Sequence, residues 1–401
     1  MRSVEEHQRI VAGLITARPA ITAELPDTEG LVLVDDVTAT VSLPVFDNSA
    51  MDGYAVRANE VASATTEHPV KLPVAEDIAA GRIDIPALEP GTAHRIMTGA
   101  PVPAGATAIV PVEATDGRID VVTINVPSAE GRHIRRAGED VATGTTALRA
   151  GQVVTPAVVG LAAALGLHEL PVIPRQRVLV ISTGSELVLP GTPLRPGQIY
   201  ESNAVMLAAA VRDAGAQVVA VVTVSDDVAQ FAAVLDRHAV DSDLIVSSGG
   251  VSAGAYEVVK DAFGRAGDRG VEFVKVAMQP GMPQGAGRVA DTPIVTLPGN
   301  PVSALVSFEV FIRPALRSAM GLSAPERPLR SAVLTETLTA PAGKRQFRRG
   351  IFDAAAGTAV SHGPQGSHHL RWLASTNCLL DIPADVTEIP AGAQVQIWDL
   401  S

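Results

Sequence analysis

The apolar residues at the start of the chain recur at helical spacing. Val4 and Val11 fall on one helical face, and Ser3 with Glu6 three positions later forms a possible capping box. Pro19 is expected to stop the helix, because proline has no backbone N–H to donate. The pattern therefore predicts one short N-terminal helix.

Between residues 31 and 134 the pattern becomes strand-rich. Proline and glycine separate short runs of β-branched and apolar residues, at 31–34, 108–112 and 121–126. These runs predict a small module of short strands. A helix-like stretch at 156–167 follows, and Pro171 and Pro174 mark a joint after it.

Strand-like and helix-like segments alternate in the next part of the chain. The predicted strands are 177–181, 217–224 and 244–246, and the predicted helices are 204–214, 228–237 and 302–316. This order predicts an α/β domain with a parallel, doubly wound sheet, in which ligands bind at the carboxyl ends of the strands. From Pro328 onward, short strands between glycines and prolines predict a small β-barrel or sandwich.

Composition and charge exclude several classes of protein. A chain of 401 residues predicts two to four domains, and 43 acidic against 31 basic residues argue against a nucleic-acid-coating protein. The only cysteine is Cys378, so neither an intrachain disulfide nor a cysteine-rich metal site is expected. The start of the chain is charged, and the longest apolar run, residues 157–167, is shorter than the roughly 20 residues of a membrane span. We therefore expect a cytoplasmic protein.

Three loops rich in glycine and small polar residues follow predicted strands of the α/β domain. Glycine lets the backbone approach an anion, and the start of the following helix offers N–H donors. Together the loops favour a phosphate-bearing, nucleotide-like or pterin-like ligand, whereas any one of them alone is equally compatible with a tight strand-to-helix turn. None matches the P-loop or dinucleotide-binding pattern. The candidate ligand-binding residues are Ser182, Thr183, Gly184, Ser185, Ser248, Gly249, Gly250, Ser252, Pro298, Gly299, Asn300, Pro301 and Ser303.

Carboxylates stand beside these loops. Glu186 ends the first loop, Asp226 and Asp227 follow the predicted strand 217–224, and Glu257 lies just past the second loop. Oxygens converging beside a diphosphate would suit Mg²⁺, which binds through few carboxylates together with substrate oxygens. The alternative is that each acid is favoured by the dipole of a helix N-terminus.

Three segments of the N-terminal part have unusual turn chemistry. They are residues 46–56, which surround Gly53, residues 95–103, and the charged run 135–140. The histidines at 362, 368 and 369 are interpreted as surface or packing residues, since no second cluster at ligand spacing supports a zinc site.

Together these segments resemble the molybdopterin molybdenumtransferases, the family that includes MoeA and the gephyrin E domain. The run Asp47-Asn48-Ser49-Ala50-Met51-Asp52-Gly53-Tyr54-Ala55, with Pro298-Gly299-Asn300-Pro301 downstream, carries the resemblance, which extends over nearly the whole chain. It implies an elongated homodimer with a central MogA-like α/β domain. The implied parts are an N-terminal helical and extended part (1–54 and 141–174), an inserted β-rich module (55–140), a molybdopterin-binding α/β domain (175–325) and a C-terminal β-barrel (326–401).

The resemblance also implies a reaction. Molybdenum from molybdate is inserted into adenylylated molybdopterin, AMP is released, and Mg²⁺ assists cleavage of the phosphoanhydride. The implied metal ligands are Glu186 and Asp227. By the same resemblance, the catalytic residues are Asp52, Thr98, Glu186, Asp227, Glu257 and Lys275, and Arg345 and Arg348 bind the ligand.

The chain departs from the family pattern at two positions that bear on molybdate. Relatives usually carry lysines where this chain has Gln279 and Met282. The retained carboxylates favour the transferase, whereas the two replacements favour weak molybdate binding or an alternative function. That alternative is a gephyrin-like dimeric scaffold that docks a short peptide of a membrane or cytoskeletal (cell-division) partner.

Overall fold

The computed structural model describes residues 1–249 and 270–401. The chain forms two compact units. The first consists of Met1–Thr22, Gly30–Val34 and Pro171–Ser401, and the second of Ala23–Glu29 and Asp35–Leu170. The finer division into four parts stays a prediction.

The helices of the described residues are short. A π-helical turn, Phe308–Ile312, joins two of them into one continuous helix, and single 3-10 turns occur at Leu25–Asp27, Val112–Ala114 and Ala239–Asp241. The α-helices are α1 (Val4–Leu14), α2 (Ala58–Val61), α3 (Pro156–Ala164), α4 (Asn203–Asp213), α5 (Val228–His238), α6 (Pro301–Ser307), α7 (Arg313–Ala319) and α8 (Leu370–Ala374).

The strands of the same residues are mostly shorter than eight residues. They are β1 (Ile21–Glu24), β2 (Val32–Leu33), β3 (Val37–Thr38), β4 (Asn48–Ser49), β5 (Gly53–Val56), β6 (Val70–Ile78), β7 (Ala93–Ile96), β8 (Ala108–Pro111), β9 (Val121–Ile124), β10 (Ile134–Arg135), β11 (Thr146–Leu148), β12 (Glu169–Ile173), β13 (Arg177–Thr183), β14 (Leu187–Val188), β15 (Ile199–Tyr200), β16 (Gln217–Val224), β17 (Leu244–Ser248), β18 (Val271–Lys275), β19 (Met278–Gln279), β20 (Pro283–Val289), β21 (Thr292–Leu297), β22 (Leu329–Leu334), β23 (Leu338–Thr339), β24 (Arg345–Asp353), β25 (Thr358–Ser361), β26 (Cys378–Ile382), β27 (Glu388–Ile389) and β28 (Gln394–Asp399).

The predicted N-terminal helix is confirmed as α1. The Ser3 hydroxyl accepts a hydrogen bond from the Glu6 N–H at 3.0 Å, which satisfies one of the free donors at the helix start. Val4 and Val11 are buried and pack in the same core as Phe311 of the π-helical turn. The helix ends at Leu14, before Pro19 is reached.

The α/β domain contains a six-stranded sheet in the order β16-β13-β17-β21-β20-β18. The first four strands are parallel, as the sequence predicts, and side chains alternate between two buried faces. Val178 and Val180 of β13 belong to one core, and Leu179 and Ile181 to the other. Burial on both faces explains the continuous apolar run of this strand.

The last two strands at one side of this sheet differ from the predicted parallel arrangement. Strands β20 and β18 run antiparallel to their neighbours. Strand β20 was not predicted because its glycines are unusual in a strand. Close packing explains these glycines, since a Cβ at Gly285 would overlap the Thr296 hydroxyl and a Cβ at Gly287 would overlap the Gly270 carbonyl oxygen.

The C-terminal part forms a closed barrel of five strands in the order β24-β25-β22-β28-β26, because β26 pairs again with β24. Leu334, Cys378, Leu380 and Ile397 fill its interior. The sequence predicts a barrel or a sandwich, and the β24–β26 pairing decides for the barrel.

The second unit is built around a five-stranded sheet in the order β8-β5-β7-β6-β9. Along β5, Tyr54 and Val56 enter one buried cluster and Ala55 another. Gly53 begins this strand, and a Cβ there would overlap the Val110 carbonyl oxygen, so only glycine permits the pairing. Across the described residues, no helix of either unit is long and apolar enough to cross a membrane.

Candidate functional site

The described residues of the three predicted loops, which for the second loop end at Gly249, meet at the carboxyl edge of the parallel sheet. They follow β13, β17 and β21, which are neighbours in the sheet. A cavity of about 640 Å³ lies against them and is lined by Thr183 of the first loop, Ser248 of the second and Gly299 of the third. Its volume lies within the roughly 300–1,000 Å³ typical of small-molecule sites.

The first two loops touch each other closely. Gly249 has a φ of 95°, and a Cβ at this position would lie 2.6 Å from the Thr183 carbonyl oxygen and 2.8 Å from Thr183 Oγ1. A side chain at this position would therefore push the loops apart. Ser182 and Thr183 are buried beneath this contact, at the end of β13.

The first loop is also tied to the residue that follows β16. The Ser185 N–H donates to Asp226 Oδ2 at 3.1 Å, and the Asp226 N–H donates to Ser185 Oγ at 3.0 Å. This reciprocal pair fixes the turn that carries Gly184 and Glu186, both of which line the cavity. Ser185 itself is exposed.

The two predicted metal ligands have different surroundings. Glu186 lines the cavity with an exposed side chain, together with Asp226. Asp227 is the N-cap of α5, where its Oδ1 accepts from the Ala229 N–H at 2.8 Å and the Gln230 N–H at 3.2 Å. The helix-capping alternative is therefore the role that the geometry of Asp227 supports.

The carboxylates of the cavity fit one mode of metal binding. Among the described residues, no group of three or more His, Cys, Asp or Glu side chains could hold a metal ion. Glu186 and Asp226 nevertheless provide two carboxylates in one cavity. Mg²⁺ is commonly bound by one or two carboxylates plus substrate phosphates, so this donor set fits Mg²⁺ bound with a phosphate-bearing ligand.

Asn203, the first residue of α4, holds the second and third loops together. Its Nδ2 donates to Ser248 Oγ at 2.9 Å and to the Gly299 carbonyl oxygen at 2.6 Å. Ser248 Oγ in turn contacts the Pro298 carbonyl oxygen at 3.3 Å. Asn203 was not predicted from sequence; the available signal was a polar residue at the start of a mostly apolar helix.

The third loop leads into α6 and meets a segment of the C-terminal barrel. Asn300 is the N-cap and makes no side-chain cap hydrogen bond, and Pro301 occupies the first turn. The Val302 N–H donates to the Ser367 carbonyl oxygen at 3.0 Å, and Ser303 is buried. The segment that contains Ser367 also brings His368 to the cavity.

A buried arginine fixes that segment. Arg349 of β24 is 3% exposed, and its guanidinium donates to the carbonyl oxygens of Pro364, Gly366 and His369. Burial lowers the pKa of Arg349. His368, interpreted from sequence as a surface or packing residue, therefore lies at the cavity because three backbone carbonyls converge on one side chain.

The other predicted basic residues lie elsewhere in the first unit. Lys275 is exposed at the end of β18, an edge strand that β20 separates from β21. Arg345 pairs with Asp381 at 2.8 and 2.6 Å and with Glu5 at 2.8 Å, and its hydrogen bonds to Asp381 raise the pKa of Arg345. None of the described lining residues of the cavity is a lysine or an arginine.

The Arg348 guanidinium is also engaged in hydrogen bonds, inside the barrel. Its guanidinium donates to the Thr339 carbonyl oxygen at 2.6 Å and to Gln346 Oε1 at 2.9 Å, and burial lowers the pKa of Arg348. Three further predicted residues, Gly250, Ser252 and Glu257, lie outside the described residues.

The second unit brings Asp52 and Thr98 together. The backbone N–H and the hydroxyl of Thr98 both donate to Asp52 Oδ1 at 2.7 Å. These two hydrogen bonds, that of the backbone first, lower the pKa of Asp52. The two residues are 46 positions apart in the chain.

The charged run 135–140 joins the same group of segments. Arg136 donates to Asp47 Oδ2 at 2.6 Å, and the Ala137 N–H donates to Asp47 Oδ1 at 2.8 Å. The hydrogen bonds from Ala137 and Arg136 lower the pKa of Asp47. All three unusual N-terminal segments therefore converge, since β4 also pairs with β10 and Asn48 bridges to Pro101.

Family comparisons assign this architecture. Three family models match in order: the MoeA N-terminal region (domain I and II) over residues 2–166, a probable molybdopterin binding domain over 179–318, and the MoeA C-terminal region (domain IV) over 331–400. The second match contains the three strand-end loops, so these loops belong to a probable molybdopterin binding domain.

Whole-chain relatives agree with these matches. Molybdopterin molybdenumtransferase 2 of Mycobacterium tuberculosis is 73% identical over 405 residues, with 100% of each chain covered. Molybdopterin molybdenumtransferase 1 of the same organism is 37% identical over 422 residues, covering 99% of this chain and 98% of that protein. The crystal structure of the molybdopterin biosynthesis MoeA protein from Pyrococcus horikosii matches with a TM-score of 0.83 at 26% identity, covering 100% of this chain and 99% of that one. The chain therefore belongs to the molybdopterin molybdenumtransferases, enzymes of molybdenum cofactor biosynthesis.

Proposed function

We propose that this chain, as a cytoplasmic homodimer, inserts molybdenum from molybdate into adenylylated molybdopterin and releases AMP. The observation that carries the proposal is the convergence of three glycine-containing strand-end loops on one cavity. Gly249 and Gly299 leave backbone exposed in that cavity, where a phosphate group can approach closely. The relatives above, which carry the transferase name, support the same activity.

The chemistry of the cavity suits a substrate that is partly anionic and partly polar. The helix formed by α6, the π-helical turn and α7 begins at the third loop, and its N-terminal dipole favours negative charge. Mg²⁺ held by Glu186 and Asp226 would neutralise phosphate charge during cleavage of the phosphoanhydride. Asp227 stays a candidate only through the oxygen that does not cap α5.

The family resemblance supports the homodimer, because it implies a site shared between subunits. Asp52 and Thr98 are implied site residues by family resemblance, yet they belong to a different compact unit from the three loops. We propose that these residues act on the cavity of a second copy. Lys275 and Glu257 keep the roles that the resemblance implies as part of this proposal. For Arg345 and Arg348 the implied role in ligand binding would require release from their present partners, which are Asp381 and Glu5 for Arg345 and Thr339 and Gln346 for Arg348.

An insertion assay with purified protein tests the proposed function. Adenylylated molybdopterin, molybdate and Mg²⁺ are supplied, and AMP and protein-bound molybdenum are quantified. We expect AMP release that depends on molybdate and that is reduced in Glu186→Ala. The matched control is Glu388→Ala, which removes an exposed glutamate on β27 of the barrel.

The assay also separates the transferase from the peptide-docking scaffold. A scaffold without transferase activity would release no AMP from the wild-type protein. Loss of activity in Glu388→Ala as well as in Glu186→Ala would assign the effect to the removal of surface charge and not to the cavity.

A further inference from the structure

The helix that begins with Asn203 is capped by the side chain of a residue other than its N-cap residue. Ser202 precedes α4 and makes no side-chain cap hydrogen bond. Instead, the buried Glu201 accepts from the Ala204 N–H at 2.6 Å through Oε1. This contact fixes the first turn of α4, and therefore fixes Asn203 against the cavity that it lines.

The orientation of the Asn203 amide follows from its partners. A carbonyl oxygen can only accept a hydrogen bond, so the atom 2.6 Å from the Gly299 carbonyl oxygen is the amide nitrogen. Ser248 Oγ accepts from the same nitrogen, which leaves its own proton for the Pro298 carbonyl oxygen. One amide group thus directs two successive carbonyls of the third loop.

The other end of the amide is unsatisfied. Asn203 is 8% exposed, and its Oδ1 is buried without a hydrogen-bond partner in the described structure. Thr183, 7% exposed and also lining the cavity, has a buried Oγ1 in the same condition. Buried polar atoms are nearly always paired in folded proteins, so unpaired ones in two residues that line a cavity call for a partner, which a bound ligand can supply.

We propose that Asn203 is a positioning and ligand-binding residue of the cavity. Its Nδ2 holds Ser248 and the third loop in the binding geometry, and its Oδ1 accepts a hydrogen bond from an N–H or O–H donor of the bound substrate. This inference rests on the proposed function, since the substrate is taken to be adenylylated molybdopterin. The donor belongs either to the pterin or to the adenylate.

The positioning half has a direct structural consequence. The Gly299 carbonyl and the Asn300 N–H belong to one planar peptide unit, so the hydrogen bond from Asn203 fixes the direction of that N–H as well. The loop that precedes α6 is thereby preorganised before the ligand binds. Without Asn203, binding would have to supply the ordering of this loop.

Two variants and a matched control test the proposal. Asn203→Ala removes both ends of the amide, and the isosteric Asn203→Asp replaces the donors with acceptors while keeping the shape. Asn377→Ala is the control, because Asn377 also bonds backbone at both ends, donating to the Phe352 carbonyl oxygen at 2.9 Å and accepting from the Phe352 N–H at 2.7 Å, but it lies in the barrel. Thermal unfolding first establishes that all three variants are folded at the assay temperature.

Two measurements then apply. Amide hydrogen exchange of residues 297–303 in the ligand-free protein reports loop order, and we expect faster exchange in both Asn203 variants but not in Asn377→Ala. Titration with adenylylated molybdopterin should give a Kd about tenfold higher for Asn203→Ala than for wild type, and an unchanged Kd for Asn377→Ala. The same titration with AMP distinguishes the source of the donor: a matching loss indicates the adenylate, and no loss indicates the pterin.

The outcomes separate this proposal from the proposed function. Wild-type affinity and wild-type exchange in Asn203→Ala would overturn the role of Asn203 and leave the transferase assignment intact. An equal increase in Kd for Asn377→Ala would show that the Asn203 variants lose affinity through general destabilisation, and this result would also overturn the role of Asn203. A wild-type protein that binds neither probe would overturn the proposed function and this inference with it.

Discussion

Thr98 donates two hydrogen bonds to a single oxygen of Asp52, one from its backbone N–H and one from its hydroxyl, each 2.7 Å long. Charge-assisted hydrogen bonds of this kind favour the ionised carboxylate. The pair therefore orients the exposed Asp52 carboxylate and lowers its pKa below the ordinary value.

The first prediction concerns this pair. Thr98→Val removes the hydroxyl but keeps the backbone N–H, so the pKa of Asp52 should rise while remaining below its ordinary value. A carboxyl group whose pKa is lower in the folded protein than in the unfolded chain stabilises the folded state at pH values above the unfolded pKa. This stabilisation is lost as the pH falls through the folded pKa. NMR titration of the Asp52 carboxyl carbon measures the shift. Thr98→Ser is the control, and an unchanged pKa in Thr98→Val would refute the role of the hydroxyl.

The second prediction separates Asp227 from Glu186. Asp227→Ala should lower the free energy of unfolding by about 0.5–2 kcal/mol, because α5 loses its N-cap, whereas Asp227→Ser should retain most of it. Glu186→Ala should change stability by less than about 0.5 kcal/mol and reduce AMP release. Urea unfolding and the insertion assay measure both quantities. If Asp227→Ser were as stable as the wild type and still released less AMP, the result would support Asp227 as a metal ligand.

The third prediction concerns His7 on α1. Its ring is fully buried, meets Phe311 edge-on at 4.7 Å between centroids, and has no hydrogen-bond partner for either nitrogen in the described structure. Burial is the main cause that lowers the pKa of His7 from 6.5 to about 4. The positive charge of Arg2 also lowers this pKa, and its effect exceeds the opposing effect of Glu272. The unfolded chain binds the proton more readily, so stability present above pH 6.5 is lost as pH falls towards 4.

The size of this effect is measurable by urea unfolding. Between about pH 7 and pH 5 the loss attributable to His7 should be about 2 kcal/mol. His7→Leu should remove this component of the pH dependence, whereas His168→Leu, at an exposed histidine, should leave it in place. Identical pH profiles for wild type and His7→Leu would contradict the prediction.

The fourth prediction concerns molybdate. Gln279 offers a neutral amide donor and Met282 only a weakly accepting sulfur, so we expect weak molybdate binding by the wild-type protein. The double change Gln279→Lys with Met282→Lys should tighten binding by about 1–3 kcal/mol. Isothermal titration at matched ionic strength measures it.

The control for this experiment adds the same charge elsewhere. Gln217→Lys with Gln152→Lys places two lysines at exposed positions, Gln217 lying at the amino end of β16. Equal affinities for wild type and the Gln279/Met282 variant would show that these two positions do not face the anion. Tight binding by the wild type would show that other residues replace the lysines.

The fifth prediction is the oligomeric state. Light scattering at micromolar concentration should give twice the chain mass of 41.4 kDa. A monomeric mass would remove the proposed contribution of Asp52 and Thr98 to a second copy, and those residues would then need another role.

Local patterns predicted the elements well where hydrophobic periodicity and caps agree. The predicted strand 217–224 has the same bounds as β16, and the capping box at Ser3 is formed. The predicted helix 302–316 lies within the continuous helix from α6 to α7, but its π-helical turn was not predicted, because no local pattern marks such a turn.

The candidate site was predicted only in part, for a different reason. The three loops are visible in sequence because glycine and small polar residues directly follow apolar strands. Asp226, expected beside the loops from its place after a predicted strand, does line the cavity, whereas Asn203 and His368 reach it through the order of strands in the sheet and the closure of the barrel. Those relationships join residues far apart in the chain, and no spacing rule encodes them.

The three carbonyl groups that accept hydrogen bonds from Arg349 set a limit on how short a fragment can be and still contain the whole cavity. Residues 179–318, which match the molybdopterin-binding family model, contain all three strand-end loops but neither Arg349 nor the segment with His368. An excised fragment of that span would therefore present a pocket missing one wall, and affinities measured on it would not describe the intact protein. The cavity of this chain therefore extends beyond the span that matches the molybdopterin-binding family model.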